Sequence, residues 1–198
     1  NQYHHEDDAF ESALSDRFTV PEYLSQMKPD TPVVQEFMTK FAIHPDDVLY
    51  DVRQDRVVFP VHTEDNVLVD AVGRSVTKRQ PKWLRYASSP VPYAHGHGPI
   101  GVIVEDAISA YVVGEYFNQM TGIALLGTQL TEFHQWYIPK YFDRIIVALD
   151  PDARDKTLQI TKEMRDCCSS VTALNISDDL KYMREVDFNQ LERLNVLQ

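Results

Sequence analysis

RIIVALDPDA, residues 144–153, decides the fold: an apolar run, IIVAL, runs directly into Asp150-Pro151-Asp152. Five consecutive apolar residues rich in Ile and Val, bounded by charge and proline, read as a short strand buried on both faces. The same pattern stands upstream, where GVIV (101–104) runs into Glu105 and Asp106. Around these two strands the periodicity alternates. Residues 106–117 predict a helix with Ala107, Ile108, Tyr111, Val112 and Tyr116 on one side, 122–126 (GIALL) a strand, and 131–138 a helix. A helix is expected at 153–168, a strand at 170–174 and a final helix at 187–195. Alternation of strand and helix implies a parallel sheet with helices on both faces, a Rossmann-like lobe.

In such a sheet the functional groups gather at the C-terminal ends of the strands. Here two strands end in carboxylates, and Pro151 restricts the turn between Asp150 and Asp152. Carboxylates held close repel, and a divalent cation relieves that repulsion. Mg²⁺ suits such a set, because it takes a few carboxylates and keeps positions for water and phosphate. Helix capping is the competing reading: Asp106 can cap the helix that follows it, and Asp152 the helix at 153–168. Two acidic strand ends together favour metal.

Upstream, Thr31-Pro32 opens a helix over 32–42, with Val33, Val34, Phe37, Met38 and Phe41 at helical spacing. VLYDV (48–52), VVFPVH (57–62) and VLVDAVGR (67–74) read as strands, the last two joined at Asp65-Asn66 as an antiparallel hairpin. Residues 77–100, rich in Pro, Ser, Gly and His, predict a long irregular segment of the kind that carries function. The expected organisation is a flexible arm or partial helix at 1–19, a small α+β lobe at 20–98, an α/β lobe at 99–178 and a helical extension at 179–198.

A chain of 198 residues can bury a core without disulfide or metal staples. Its only cysteines, Cys167 and Cys168, are sequence neighbours and make neither a disulfide framework nor a four-ligand zinc site. No apolar run approaches a membrane span, no signal peptide is visible, and a cytoplasmic setting is expected. His4-His5 and His95-Gly96-His97 lack partners at ligand spacing and read as solvated loop histidines. The formal net charge is −11, which by itself speaks against a nucleic-acid binder. The distribution differs from the total: residues 71–104 hold no Asp or Glu and carry Arg74, Lys78, Arg79, Lys82 and Arg85. Composition leaves two readings open for this segment, a phosphate-binding patch or a solvated basic loop.

Taken together, VIVEDAISAYVVG (102–114), ALLGTQLT (124–131) and RIIVALDPDA (144–153) resemble the motifs of Toprim domains, in their usual order. The run at 57–90 resembles the N-terminal lobe of DnaG-type primases, through Phe59-Pro60, Gly73-Arg74 and Pro81-Lys82-Trp83-Leu84. The resemblance spans roughly 20–185, and its shorter first motif, with Asp106 directly after Glu105, is similar to phage primases. It implies a metal site on Glu105, Asp150 and Asp152, with ISDDLKYM (176–183) contributing Asp179 and Lys181 although Leu180 replaces the usual proline. It places Gly127 and Thr128 in the loop beside that site. It matches Arg74 and Lys82 to the family's basic template groove, with Trp83 where an aromatic is common; Lys78, Arg79 and Arg85 are then expected to contact template phosphates too, with Trp83 and Tyr86 stacking on bases or packing into the core. Trp136 and Tyr137 read as packing.

The activity implied is Mg²⁺- or Mn²⁺-dependent synthesis of RNA primers from ribonucleoside triphosphates on single-stranded DNA during phage replication, in the host cytoplasm. The glycine usual after Asp-x-Asp is replaced by Ala153-Arg154-Asp155. Neither the family's cysteine-rich zinc module nor a P-loop lies in this sequence: it is an excised domain or its partners are separate proteins, and a replicative helicase and a zinc-binding module supplied elsewhere are expected. Two other functions remain open: a Toprim nuclease using the same carboxylates, and a non-catalytic single-stranded DNA-binding module of the replisome.

Overall fold

The computed structural model describes residues 2–26 and 31–196; Pro29 and the side chain of His4 lie outside the described set. The chain divides into two compact units, Asn1–Val91 and Pro92–Gln198.

The first unit carries helices α1 (Gln2–Ala13) and α2 (Pro32–Lys40) and strands β1 (Leu24–Gln26), β2 (Leu49–Asp51), β3 (Arg56–His62), β4 (Leu68–Ser75) and β5 (Trp83–Arg85). The strands form one antiparallel sheet in the order β1-β2-β3-β4-β5. The hairpin at its centre is the one expected from 57–74, and Asn66 at φ 62° supplies its left-handed turn residue. β3 and β4 are buried along nearly their whole length, which explains why neither alternates cleanly in hydropathy.

Burial here takes charged groups inside. Asp51 accepts hydrogen bonds from the amides of Arg53 and Gln54 at 2.9 and 3.1 Å and from the Tyr86 hydroxyl at 2.6 Å. Burial, then the bond to Asp51, raises the Tyr86 pKa far above its ordinary value. Tyr86, a stacking candidate by sequence, therefore has its hydroxyl committed to the interior of this unit. Asp70, fully buried, pairs with Arg85 and accepts from the amides of Ala71, Ala87 and Ser89 at 2.7, 2.9 and 3.1 Å.

The second unit is the α/β lobe. Its strands are β6 (Tyr93–Gly96), β7 (Ile100–Val104), β8 (Met120–Ala124), β9 (Arg144–Val147) and β10 (Ser170–Ala173), ordered β10-β9-β7-β8-β6. Four strands run parallel, joined through α3 (Ala107–Tyr116), α4 (Glu132–Tyr137) and α5 (Arg154–Arg165), and α6 (Glu185–Leu194) closes the chain. Ile103, Ile123, Ile145 and Val147 pack with Ile160 and Met164 of α5 on one face. Gly122, pointing the other way, lies so close to α3 that a Cβ there would sit 2.0 Å from the Ala110 carbonyl oxygen. The two helices thus cover opposite faces, as the alternating pattern requires.

The sheet is not wholly parallel. Segment 77–100, expected to be irregular, contributes β5 and β6, and β6 pairs antiparallel with β8 as an edge strand. Its four residues, YAHG, are too short and too close to Pro92 and Gly98 to declare themselves by periodicity; pairing with β8 makes the strand. Among the described residues no helix is long and apolar enough to cross a membrane.

Candidate functional site

The site grows from the ends of β7 and β9. β7 is apolar through Val104, and the next two residues, Glu105 and Asp106, are half-buried. Asp106 does what the capping reading asked: its Oδ1 accepts the Ser109 amide at 3.0 Å and N-caps α3. Its Oδ2 is used differently, accepting from Lys181 Nζ at 2.6 Å. Lys181 is buried and also reaches Asp179 Oδ2 at 3.2 Å, while its amide donates to Ser109 Oγ at 3.2 Å. Burial alone would lower the Lys181 pKa; Asp106 and Asp179 more than reverse this, and the ammonium is held above its ordinary value.

Glu105 is divided between two environments. Oε1 accepts from Lys156 Nζ, on the first turn of α5, at 3.2 Å. Oε2 is buried and has no hydrogen-bond partner. Asp150, after β9, is raised to a pKa of about 8, by burial first, then by its hydrogen bond to Asp179 and by the charges of Asp179, Glu105 and Asp106. The structure therefore brings together Glu105, Asp106, Asp150 and Asp179 from three separate stretches of chain, with Lys156 and Lys181 among them.

Asp152 is exposed and is not among the neighbours that chiefly raise Asp150. Nor does it cap α5, whose N-cap residue is Ala153 with no side-chain cap bond. Gly127 has open space around it, and Thr128 shares a cavity of about 410 Å³ with Gln129, Lys156 and Gln159. A second cavity, of about 290 Å³, lies on Asp150 and is lined by Arg154, Thr157 and Asn175.

Of the basic residues, Arg74 and Trp83 are direct cross-strand partners on β4 and β5, with the Arg74 guanidinium 5.8 Å from the Trp83 ring centroid. Trp83 also packs on Phe59 at 6.1 Å between centroids. Lys78, Arg79 and Lys82 are exposed around the connection between the two strands. Arg85 is engaged by Asp70 and by the Ser89 carbonyl at 2.9 Å. His95 is half-buried in β6, bonded to Glu115 at 2.8 Å and stacked on Tyr111 at 4.2 Å.

Lys156 is the site residue the sequence did not reveal. It sits on a polar helix, 51 positions from its partner, where nothing local marks it.

The α/β lobe with carboxylates at its strand ends, joined in one chain to an antiparallel unit, defines a fold with known relatives. It is that of the DnaG primase catalytic domains. A DnaG primase catalytic domain bound to single-stranded DNA superposes with a TM-score of 0.59 at 14% identity, over 84% of this chain and 59% of that one. The zinc-binding and RNA polymerase domains of Aquifex aeolicus primase give 0.60 at 15%, over 96% and 55%. The E. coli primase catalytic core gives 0.57 at 15%, over 83% and 61%. This chain thus spans less than two thirds of the length of each. No family model and no curated protein sequence matches it.

Proposed function

We propose that this chain is the catalytic domain of a phage-type, DnaG-like DNA primase, a Toprim enzyme that joins ribonucleotides on a single-stranded DNA template. One observation carries the reading. Four carboxylates converge at the strand ends, one of them with a buried oxygen that has no partner and another held in its protonated form near neutral pH. With Asp150 protonated, two lysines still do not balance the three remaining carboxylates, and the cluster has the hard-oxygen chemistry that Mg²⁺ or Mn²⁺ requires. Glu105, Asp150 and Asp179 would hold the ion, with Asp152 reaching it from the exposed turn. When bound, a divalent ion supplies charge stabilisation to triphosphate oxygens.

In the reaction a primer 3′-hydroxyl attacks the α-phosphate of a ribonucleoside triphosphate, and pyrophosphate leaves. Lys181 keeps Asp106 and Asp179 in place through its two ion pairs, and Asp106 fixes the start of α3. Arg74, Lys78, Arg79 and Lys82 contact template phosphates, Arg85, held by Asp70, supports the strand beneath them, and Trp83 offers an aromatic face beside them. A replicative helicase and a zinc-binding module act as partners, in the host cytoplasm.

The test is extension of a short RNA primer annealed to single-stranded DNA, with labelled ribonucleotides and Mg²⁺ or Mn²⁺. Elongation by the native chain, lost in Glu105→Gln and Asp150→Asn, supports the reading. Degradation of the DNA instead identifies a nuclease. DNA binding without either activity identifies a non-catalytic module.

A further inference from the structure

We propose that Lys156 is an exchangeable counter-ion: it occupies Glu105 when no divalent ion is bound, and on displacement turns to the phosphates of the incoming nucleotide. The inference rests on the reading of Glu105 as a metal ligand. The two lysines of the cluster differ in the way this role requires. Lys181 has two carboxylate partners, and its side chain is 7% exposed. Lys156 has one partner, Glu105 Oε1 at 3.2 Å, and its side chain is 30% exposed. A buried cation held twice is a fixed part of the fold; a half-exposed cation held once can be exchanged at small cost.

Glu105 offers the vacancy. With Oε2 buried and unpartnered, the carboxylate gains more from a divalent ion than from one ammonium at its other oxygen. The ammonium also has somewhere to go, because Lys156 lines the cavity of about 410 Å³ together with Thr128, Gln129, Gln159 and the carboxylates Asp155 and Glu163. Two carboxylates, three hydroxyl or amide side chains and open solvent stabilise a displaced ammonium until a stronger anion arrives. A polyphosphate held near Glu105 is that anion, and a lysine serves it as a mobile point charge. The residue stands on the first turn of α5, directly after the Ala153-Arg154-Asp155 segment.

The test titrates the purified native chain and Lys156→Met with Mn²⁺ alone, following free Mn²⁺ by electron paramagnetic resonance. It then titrates the Mn²⁺-loaded proteins with inorganic pyrophosphate by calorimetry. Removing the competing ammonium is expected to tighten Mn²⁺ by about two- to fivefold, while pyrophosphate weakens by about the same factor. Lys156→Arg, which keeps the charge, retains native values in both arms. A lysine that only supported α5 would move neither. Unchanged or weaker Mn²⁺ binding in Lys156→Met, or unchanged pyrophosphate binding, overturns the proposal, as does a native chain that binds no Mn²⁺. Lys156→Gln, measured in parallel, gives the same reading should the Met variant not fold. A native chain that exchanges its lysine as described but makes no RNA leaves this inference standing and removes the proposed function.

Discussion

Replacing Asp150 with Asn should make the metal-free protein more stable at neutral pH, although it removes a carboxyl from the proposed metal site. The reason lies in the surroundings of the carboxyl. Burial and the neighbouring Asp179, Glu105 and Asp106 raise its pKa from 3.8 to about 8 in the folded chain. Below pH 4 the group is protonated whether the chain is folded or not, and the cluster costs nothing on its account. Above that the unfolded chain ionises while the folded chain holds its proton, so folding loses stability with each step in pH up to about 8, where the folded carboxyl ionises too. At about 1.4 kcal/mol per unit the unscreened penalty at pH 7 is about 4 kcal/mol. Asp150 is only half-buried, and solvent screening leaves about 1–2 kcal/mol. For a chain of this size that corresponds to about 3–6 °C in Tm. Thermal unfolding of native and Asp150→Asn protein in chelator should therefore show a gain at pH 7.5 that vanishes towards pH 4. A variant that is equal or less stable at pH 7.5 without metal would refute the account of a strained carboxylate cluster.

Other consequences are independent of that site. Asp70→Ala removes the buried partner of Arg85 and of three amides, and urea unfolding should report a loss of about 3 kcal/mol or more. Gly122→Ala forces a methyl into the Ala110 backbone and should cost about 1–3 kcal/mol by the same measurement, whereas Gly127→Ala, with open space around it, leaves the packing untouched. If the basic connection binds template, Lys82→Ala should weaken single-stranded DNA uniformly across sequences and lower the salt slope by about 0.7, read by fluorescence anisotropy at several salt concentrations.

How much of this was legible in the chain depends on whether the signal was local. The strands at 100–104 and 144–147 announce themselves, because strands buried on both faces must be apolar throughout and then stop at charge. Asp106 as a cap was equally readable, since its partner is the amide three residues on. β6 was not, because a four-residue edge strand exists only through its pairing. Ion pairs across the fold were hidden for a similar reason. Lys156 meets Glu105, and Lys181 meets Asp106 from 75 positions away, so neither spacing carries a period. Lys181 entered the reading through family resemblance, and Lys156, for which the resemblance offered no motif position, did not. The basic run at 74–85 shows the converse limit. Its charge was visible, but not that one member, Arg85, is held by Asp70, a buried carboxylate fifteen positions earlier in the chain.

The central claim is that this chain polymerises ribonucleotides under instruction from a template, and homopolymer templates test it most directly. Native protein with Mn²⁺, an annealed RNA primer and a single labelled ribonucleotide should incorporate ATP on poly(dT) and GTP on poly(dC), but not the reverse. Glu105→Gln should incorporate neither. Incorporation that ignores the template, or none at all from a protein that binds both Mn²⁺ and the primed DNA, would contradict it.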